Sequence, residues 1–405
     1  MAQSPAGANI LSNNVWFQIN SITFDAWWRL RVSWLTTLFD GKTLDADNTN
    51  IWDNVATGTA SWGNNKYSMA VASWEYCIRQ AKRFSPYFSG KSQFIEITTI
   101  DFDTEANVTK RAWYFSSAAT GSYNATYDWF WIEDNGTTKI LKASRAGTET
   151  ISVNFADMDN YAAISSYNWE KFTVFAFDFL WLGGAILRFF VKTSTGFELI
   201  HTVNYSGTAS DIFILSPNQP IRYEIRSSTG TGNFVAVCSQ VSTEWSINEE
   251  WYNWSINTGS TGIALASIGT TYPLLAIRKK TAYRDISAKV TGISYFVSSA
   301  NDQILWTLQL NPTLSAWLTY AGVDWTGIER AVGNWTITVS SAWRILASWY
   351  LTQNSIIDPE QFDRDYLAYL GIWLDNTQYA LVLCGTPVTA SVTSFGVINF
   401  KEFAN

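Results

Sequence analysis

His201 is the only histidine among 405 residues, so any mechanism that needs an imidazole base has one candidate. It sits in Leu199-Ile200-His201-Thr202-Val203, an apolar strand-like setting in which histidine is ordinarily a packing or surface residue. The same shortage argues against zinc, whose sites draw on clustered Cys and His. Facing carboxylates could still do acid and base work on a glycan. The acidic pairs are Asp101 and Asp103, Asp157 and Asp159, Glu249 and Glu250, and Asp363 and Asp365. In Thr99-Ile100-Asp101-Phe102-Asp103 a period of two would put both carboxylates on one face of a strand, an arrangement that also suits calcium. Such pairs arise by chance in a chain of this length, and loop polarity explains them without a site. The expectation is no catalytic, cofactor-binding or metal-binding residue, no cofactor, and no enzyme.

Cys77, Cys238 and Cys384 are far apart, odd in number and outside any metal-ligand spacing, so a disulfide framework is not expected. Each has apolar neighbours and reads as a small buried hydrophobe in a strand. Ser227-Ser228-Thr229-Gly230-Thr231-Gly232 contains no Lys and departs from phosphate-loop spacing, so it reads as a flexible hairpin loop. Asn124, Asn135 and Asn204 open Asn-x-Ser/Thr triplets, which matter only in a secretory pathway.

Nucleic acid is not an expected partner. The net charge is −7, and phosphate binding needs clustered Lys and Arg. The longest basic grouping, Arg278-Lys279-Lys280, reads as a strand end. Residues 1–14 are small and polar and do not read as a secretory signal. No membrane span is expected either: the most apolar stretch, 172–191, is interrupted by Asp178, Gly183, Gly184 and Arg188 and reads as two buried strands.

The elements that would position these residues read as β. Only 15% of residues are charged, against about 25% in an average soluble protein, while 16% are aromatic. Aromatic and β-branched side chains fit a pleated surface, and Gly, Asn and Asp make its corners. Turn clusters recur every 8 to 12 residues from about Phe24, the spacing of a sandwich or barrel. Strands are expected over 67–71, 76–80, 93–99, 110–116, 127–133, 138–145, 172–180, 185–192, 197–203, 221–226 and 234–241. Beyond them come 274–280, 304–310, 335–339, 344–350, 380–384 and 395–403. Asp134-Asn135-Gly136 and Ser194-Thr195-Gly196 supply corners. Asp358-Pro359-Glu360, followed by Phe362, Tyr366, Leu367 and Leu370 and closed by Gly371, reads as one helix near 359–370.

The fold expected is thus all-β: an extended N-terminal arm over 1–24, a connecting segment over 25–60, and a large β-sandwich over 61–260, jelly-roll or lectin-like. A smaller β domain with the helix fills 261–405. Arms that bury little surface alone either stay mobile or dock on a partner, and docking is the reading taken for 1–24.

Several phrases point further. Arg29-Leu30-Arg31-Val32-Ser33 with Thr36-Thr37-Leu38-Phe39-Asp40, Ser89-Gly90-Lys91-Ser92-Gln93, Phe177-Asp178-Phe179-Leu180-Trp181-Leu182-Gly183, Ser216-Pro217-Asn218-Gln219-Pro220-Ile221-Arg222-Tyr223-Glu224-Ile225 and Val237-Cys238-Ser239-Gln240-Val241-Ser242-Thr243-Glu244 stand in a set order. In that order they resemble a widespread family of tailed-bacteriophage virion structural proteins, capsid-associated or fibre-like. The resemblance spans roughly 25–280 and brings no catalytic residue with it. It implies a virion component assembled in the host cytoplasm, a homo-oligomer with a trimer among its forms. Its partners would be capsid or tail subunits met through the arm. At Trp28, Trp34, Trp74, Trp245 and Trp349 the family pattern favours Gly or a small residue at turns. Either the surface is Trp-rich or a recoded codon is translated as Trp where Gly is meant.

Three functions follow from these readings. The first is a non-enzymatic virion structural protein in a capsid-decorating, fibre or tail position. The second is a carbohydrate-binding adhesin contacting a host-surface glycan, because aromatic faces stack on sugars and 22 Trp is a large supply. The third, a particle-borne polysaccharide depolymerase, has least behind it.

Overall fold

The computed structural model describes residues 8–12, 15–19, 35–42, 51–115, 128–181, 186–205, 209, 211–244, 252–283, 285–298, 303–342, 344–351, 355–356, 369–373 and 377–403. The described structure is all-β apart from three 3-10 turns, and the chain divides into two compact units, Met1–Asn248 and Glu249–Asn405.

In the first unit β1 (Ala8–Ser12) and β2 (Val15–Ile19) form a hairpin. The strands that follow are β3 (Leu35–Gly41), β4 (Trp52–Ala56), β5 (Thr59–Gly63), β6 (Lys66–Val71), β7 (Tyr76–Ala81) and β8 (Gln93–Ile100). Next come β9 (Val108–Phe115), β10 (Trp129–Asp134), β11 (Lys139–Arg145), β12 (Thr148–Asn154) and β13 (Thr173–Leu180). The last are β14 (Ile186–Lys192), β15 (Phe197–Asn204), β16 (Ile221–Ser227) and β17 (Gly232–Glu244). Seven of them make one antiparallel sheet, β12-β11-β10-β9-β16-β7-β4, and a second runs β15-β14-β13-β8-β17-β6-β5 with β3 beside β17.

Aromatic rings on alternate positions join the two sheets, because every second side chain of a strand points to the same face. Phe130 of one sheet lies 5.6 Å from Phe177 and 5.2 Å from Phe179 of the other, ring centre to ring centre, and Tyr223 lies 6.2 Å from Phe234. Two buried phenols between these sheets keep hydrogen bonds, Tyr114 to Gln93 Oε1 at 3.1 Å and Tyr223 to the Cys238 carbonyl at 3.0 Å, which offsets the cost of burying their hydroxyls. This is the expected β-sandwich, and 172–191 is the expected strand pair, with Asp178 opposite Arg188.

The second unit holds β18 (Tyr252–Asn257), β19 (Ile263–Leu265), β20 (Tyr272–Lys279), β21 (Ser287–Val297), β22 (Ile304–Leu310), β23 (Thr313–Leu314) and β24 (Ala321–Gly322). It continues with β25 (Ile328–Val332), β26 (Val339–Ser341), β27 (Arg344–Leu351), β28 (Ser355–Ile356), β29 (Leu381–Pro387) and β30 (Val392–Phe403). A sheet β18-β30-β21-β28 faces one ordered β24-β25-β20-β29-β22-β27. Trp306 of the second sheet stacks on Tyr295 of the first at 4.0 Å and 13°. The other side of β20, β25 and β29 is covered by Leu318 and Ile337.

Several expectations change. Within the 1–24 segment, Ala8–Ser12 and Val15–Ile19 pair with each other and satisfy each other's main-chain groups. The 25–60 connector contains β3, β4 and the start of β5, which complete the two sandwich sheets. The unit boundary falls before 252–257, since β18 pairs with β30 in the second unit. Residues 335–338 form an Asn334-capped turn, with Asn334 Oδ1 accepting from the Thr336 and Ile337 amides at 2.9 and 3.0 Å, so the strand expected there begins only at Val339. Trp349 is half-buried inside β27, opposite Trp306, and is not a turn residue. The helix expected near 359–370 lies outside the described residues except for Tyr369, which bridges to Lys289, and Leu370; Trp28, Trp34 and Trp245 lie outside them too.

Candidate functional site

Antiparallel strands return their connections to the two ends of a sandwich, so loops far apart in sequence meet. At one end of the first unit, the turn 72–75, the loop 101–107, the hairpin 135–138 and the loop 228–231 come together. Glycine permits the close approach: a Cβ on Gly230 would stand 2.4 Å from the Ala106 carbonyl, and one on Gly136, at φ +82°, 3.0 Å from the Glu105 carbonyl. Asn135 Oδ1 caps the hairpin by accepting from the Thr137 and Thr138 amides, and the Ser228 amide donates to the Asn107 carbonyl at 3.0 Å. The 227–232 loop is therefore pinned to its neighbour, which corrects the reading of it as simply flexible.

Between these loops lies a cleft of about 590 Å³, lined by Trp74, Glu75, Tyr76, Ala106, Asn107, Thr109, Asn135, Gly136, Thr137, Arg226, Ser227 and Ser228. A smaller recess of about 290 Å³, lined in part by Glu75, Glu105, Thr231 and Asn233, adjoins it. The cleft offers carboxamides, hydroxyls, one guanidinium, one carboxylate and two aromatic side chains. Those groups recognise hydroxyl-rich ligands by hydrogen bonding and stacking.

Arg226 connects the cleft to the interior. Its guanidinium lies over the Tyr76 ring at 5.3 Å, and its Nε donates to Glu224 Oε1 at 2.5 Å. Glu224 is wholly buried and also accepts from Arg222 Nη2 at 2.5 Å and Arg111 Nη1 at 3.3 Å; Arg111 in turn reaches Glu133 at 2.5 Å. Strand register builds this row, because Arg111 stands opposite Glu133 on β10 and Glu224 on β16. Burial alone would push the Glu224 carboxyl up, but Arg222, Arg111 and Arg226 outweigh it and hold it at about 2. Arg226 is thereby oriented by a fixed anion.

The residues singled out from sequence go elsewhere. His201 Nδ1 meets Asp159 Oδ2 at 2.9 Å, and the same oxygen accepts from the Thr202 amide at 3.2 Å. This clasp ties the 3-10 segment to β15, and neither residue lines the cleft. Asp157 accepts from Asn154 Nδ2 at 3.1 Å. Asp101 and Asp103 are not on a strand: β8 ends at Ile100, and the loop beyond folds around Lys110. Lys110 Nζ donates to the Asp101 carbonyl at 2.7 Å and the Asp103 carbonyl at 2.9 Å, and pairs with Asp103 Oδ1 at 3.0 Å and Glu105 Oε2 at 3.2 Å. An ammonium thus occupies the oxygen-rich turn that resembled a calcium ligand pair. Among the described residues no group of three or more His, Cys, Asp or Glu could hold a metal. Glu249, Glu250, Asp363, Asp365 and Asn124 lie outside the described residues.

Cys77 and Cys384 are buried as expected, but Cys238 is exposed. The ladder between β17 and β8 shifts register between Ala236 and Ser239, and the bulge leaves the thiol on the open side of the strand. Arg278 and Lys280 are committed: Arg278 Nε pairs with Glu329 at 2.7 Å beneath Tyr320, and Lys280 Nζ donates to the Thr326 carbonyl at 2.6 Å. Asn135 drew notice in the sequence only as a corner and triplet residue, and Ser227 and Ser228 only as part of a loop; none read as a ligand-binding residue. The signal available was that Asn107, Asn135 and Ser228 each fall in a connection leading to the same end of the sandwich.

No family model and no curated protein matches the chain. Among solved structures, the carbohydrate recognition domain of Emp47p is 10% identical with a TM-score of 0.36, covering 51% of this chain and 96% of its own. The VIP36 exoplasmic/lumenal domain, in a Ca²⁺/Man3GlcNAc-bound form, is 9% identical with a TM-score of 0.36, over 53% of this chain and 92% of that one. The legume lectin-like domain from Entamoeba histolytica is 10% identical with a TM-score of 0.32, over 53% and 100%. The likeness is one of shape, with no shared set of residues to carry over. Among the described residues no helix is long and apolar enough to cross a membrane.

Proposed function

We propose that this chain is a non-enzymatic binding protein whose first unit receives a glycan in the cleft at the end of the sandwich. The observation that carries the reading is the lining itself: Asn107, Asn135, Thr109, Thr137 and Ser228 surround Tyr76 and Arg226. A pyranose presents hydroxyls at its rim and C–H groups on its face, and this set answers both. Glu75 is the one carboxylate in the larger cleft, and its Oε2 accepts from the Ala72 amide at 2.8 Å. It therefore serves the turn, and among the described residues the nearest second carboxylate, Glu105 in the adjoining recess, is taken up by Lys110 Nζ and the Asn233 amide, which leaves no free pair for glycoside hydrolysis. A glycan array read with the whole chain and with Tyr76→Leu plus Thr137→Val tests the reading. Selective binding by the parent that the variant loses supports it; no binding by the parent, or equal binding by both, removes it.

The setting we propose is the surface of a virus particle, as a capsid-decorating, fibre or tail component. What favours it is where the ordered family phrases fall. Thr36–Asp40 lies in β3, 221–225 in β16, 237–244 in β17 and 177–180 in β13, so much of the phrases falls on strands of the sandwich, with 89–92 and 216–220 in the connections beside them. Proteomics of purified particles should find the chain in many copies; its absence from them would end this part of the reading.

A further inference from the structure

Two tryptophans occupy left-handed backbone positions that the described residues otherwise fill with glycine, asparagine, one aspartate and one alanine. Among the described residues, the non-glycine residues with positive φ are Asn64, Asn65, Asn107, Asn311, Asp101, Ala146, Trp74 (φ +66°) and Trp325 (φ +60°). Asn and Asp tolerate this region, whereas a bulky side chain there is an outlier, because Cβ crowds the following carbonyl.

Both tryptophans sit at the same place in the same kind of turn. The Glu75 amide donates to the Ala72 carbonyl at 3.1 Å and the Thr326 amide to the Val323 carbonyl at 3.3 Å, so Trp74 and Trp325 are each third in a four-residue β-turn. The second residues, Ser73 and Asp324, do not have positive φ. That combination is the type II turn, whose third position calls for glycine. Neither turn can relax away from it. Glu75 Oε2 accepts from the Ala72 amide and Ser73 Oγ donates to the Ser228 carbonyl, while Lys280 Nζ grips the carbonyls of Val323 and Thr326. Nor does either indole gain anything in return: the two are 77% and 94% exposed, with no ring or hydrogen-bond partner among the described residues.

The inference is specific to position. Trp335 is also exposed but is second in its turn with ordinary φ, and Trp52 and Trp306 fill the cores. The composition agrees, with 22 Trp almost matching 24 Gly, where glycine at about 7% of residues is usual. We infer that glycine stands at positions 74 and 325 in the protein as its own host makes it, the codons read as tryptophan in this sequence being decoded there as glycine. The wall of the cleft at 74 is then bare main chain, and stacking on a ligand falls to Tyr76.

Mass spectrometry of peptides spanning 67–79 and 323–330, from the protein purified from its native host or particle, reads the two residues directly. Glycine at both is the expected result; an indole mass at either overturns the inference. Stability gives a second reading on recombinant protein. Trp74→Gly and Trp325→Gly should each raise the folded-to-unfolded ratio about tenfold, whereas Trp335→Gly should not raise it. A fall in stability on either of the first two substitutions contradicts the turn argument. Neither measurement depends on whether the cleft binds a glycan.

Discussion

Lys110 Nζ lies 3.0 Å from Asp103 Oδ1, inside a loop that also turns the main-chain oxygens of Asp101 and Asp103 onto the ammonium. Lys110 is fully buried, so its charge depends on these oxygens and on Glu105. Lys110→Ala should cost about 3–5 kcal/mol, the usual result of stranding one side of a buried ion pair, read as a lower urea midpoint. The vacated oxygens should then accept a hard cation: calcium should raise the melting temperature of Lys110→Ala and leave the parent unmoved. An equal response in both would mean that the oxygens are open with the lysine in place.

Glu224 makes the first unit sensitive to acid. Its carboxyl is held at about 2 against burial by Arg222, Arg111 and Arg226, and Glu133 is lowered in the same direction, with Arg111 and Lys142 outweighing its burial. An unfolded glutamate titrates near about 4.3. A depressed folded value means the stabilisation is complete above the unfolded value and is lost as pH falls through the folded one. For Glu224 the loss is on the order of 3 kcal/mol. Denaturant midpoints measured down from about pH 5 should fall steeply, and Glu224→Gln should start lower with a shallower slope. Parallel slopes would rule Glu224 out as the source.

Asp178 and Arg188 form a fully buried pair across β13 and β14, with Ser92 Oγ donating to the other carboxylate oxygen. Asp178→Ala alone should cost about 3–5 kcal/mol because an uncompensated guanidinium remains. Replacing both, Asp178→Leu with Arg188→Met, should recover most of that loss in chemical denaturation. A double variant as unstable as the single one would show that the pair holds the hairpin by more than mutual compensation.

Thiol chemistry should separate the three cysteines. Cys238 is exposed, whereas Cys77 and Cys384 are buried, and burial pushes the Cys77 thiol up to about 11. A thiol-reactive chromophore should label one site per folded chain, at Cys238, and the other two only after denaturation. Labelling of Cys384 in the folded protein would contradict the core placement of β29.

The sandwich was legible because its strands announce themselves: 172–191 is apolar on both faces and Asp134-Asn135-Gly136 forms its corner as the residue types require. Polar strands were not. Thr148–Asn154 lies at a sheet edge with its side chains largely in water, so it carries no apolar signature, and Ser287–Val297 mixes small and polar residues along its length. The cleft was less visible still. Asn107, Asn135, Ser228 and Arg226 are ordinary loop and strand-end residues that become a site only when four connections converge. The Asp101 and Asp103 pair misled for the opposite reason: period two is informative only while the strand continues, and Asp101 at φ +59° ends it.

The most direct test of the cleft as a binding site is hydrogen exchange on the whole chain, with and without the best glycan from the array. Protection should appear in the segments 106–109, 135–138 and 226–228 and leave the outer strands β12 and β15 unchanged. A saturating glycan that protects other segments, or none, would contradict the assignment of the cleft.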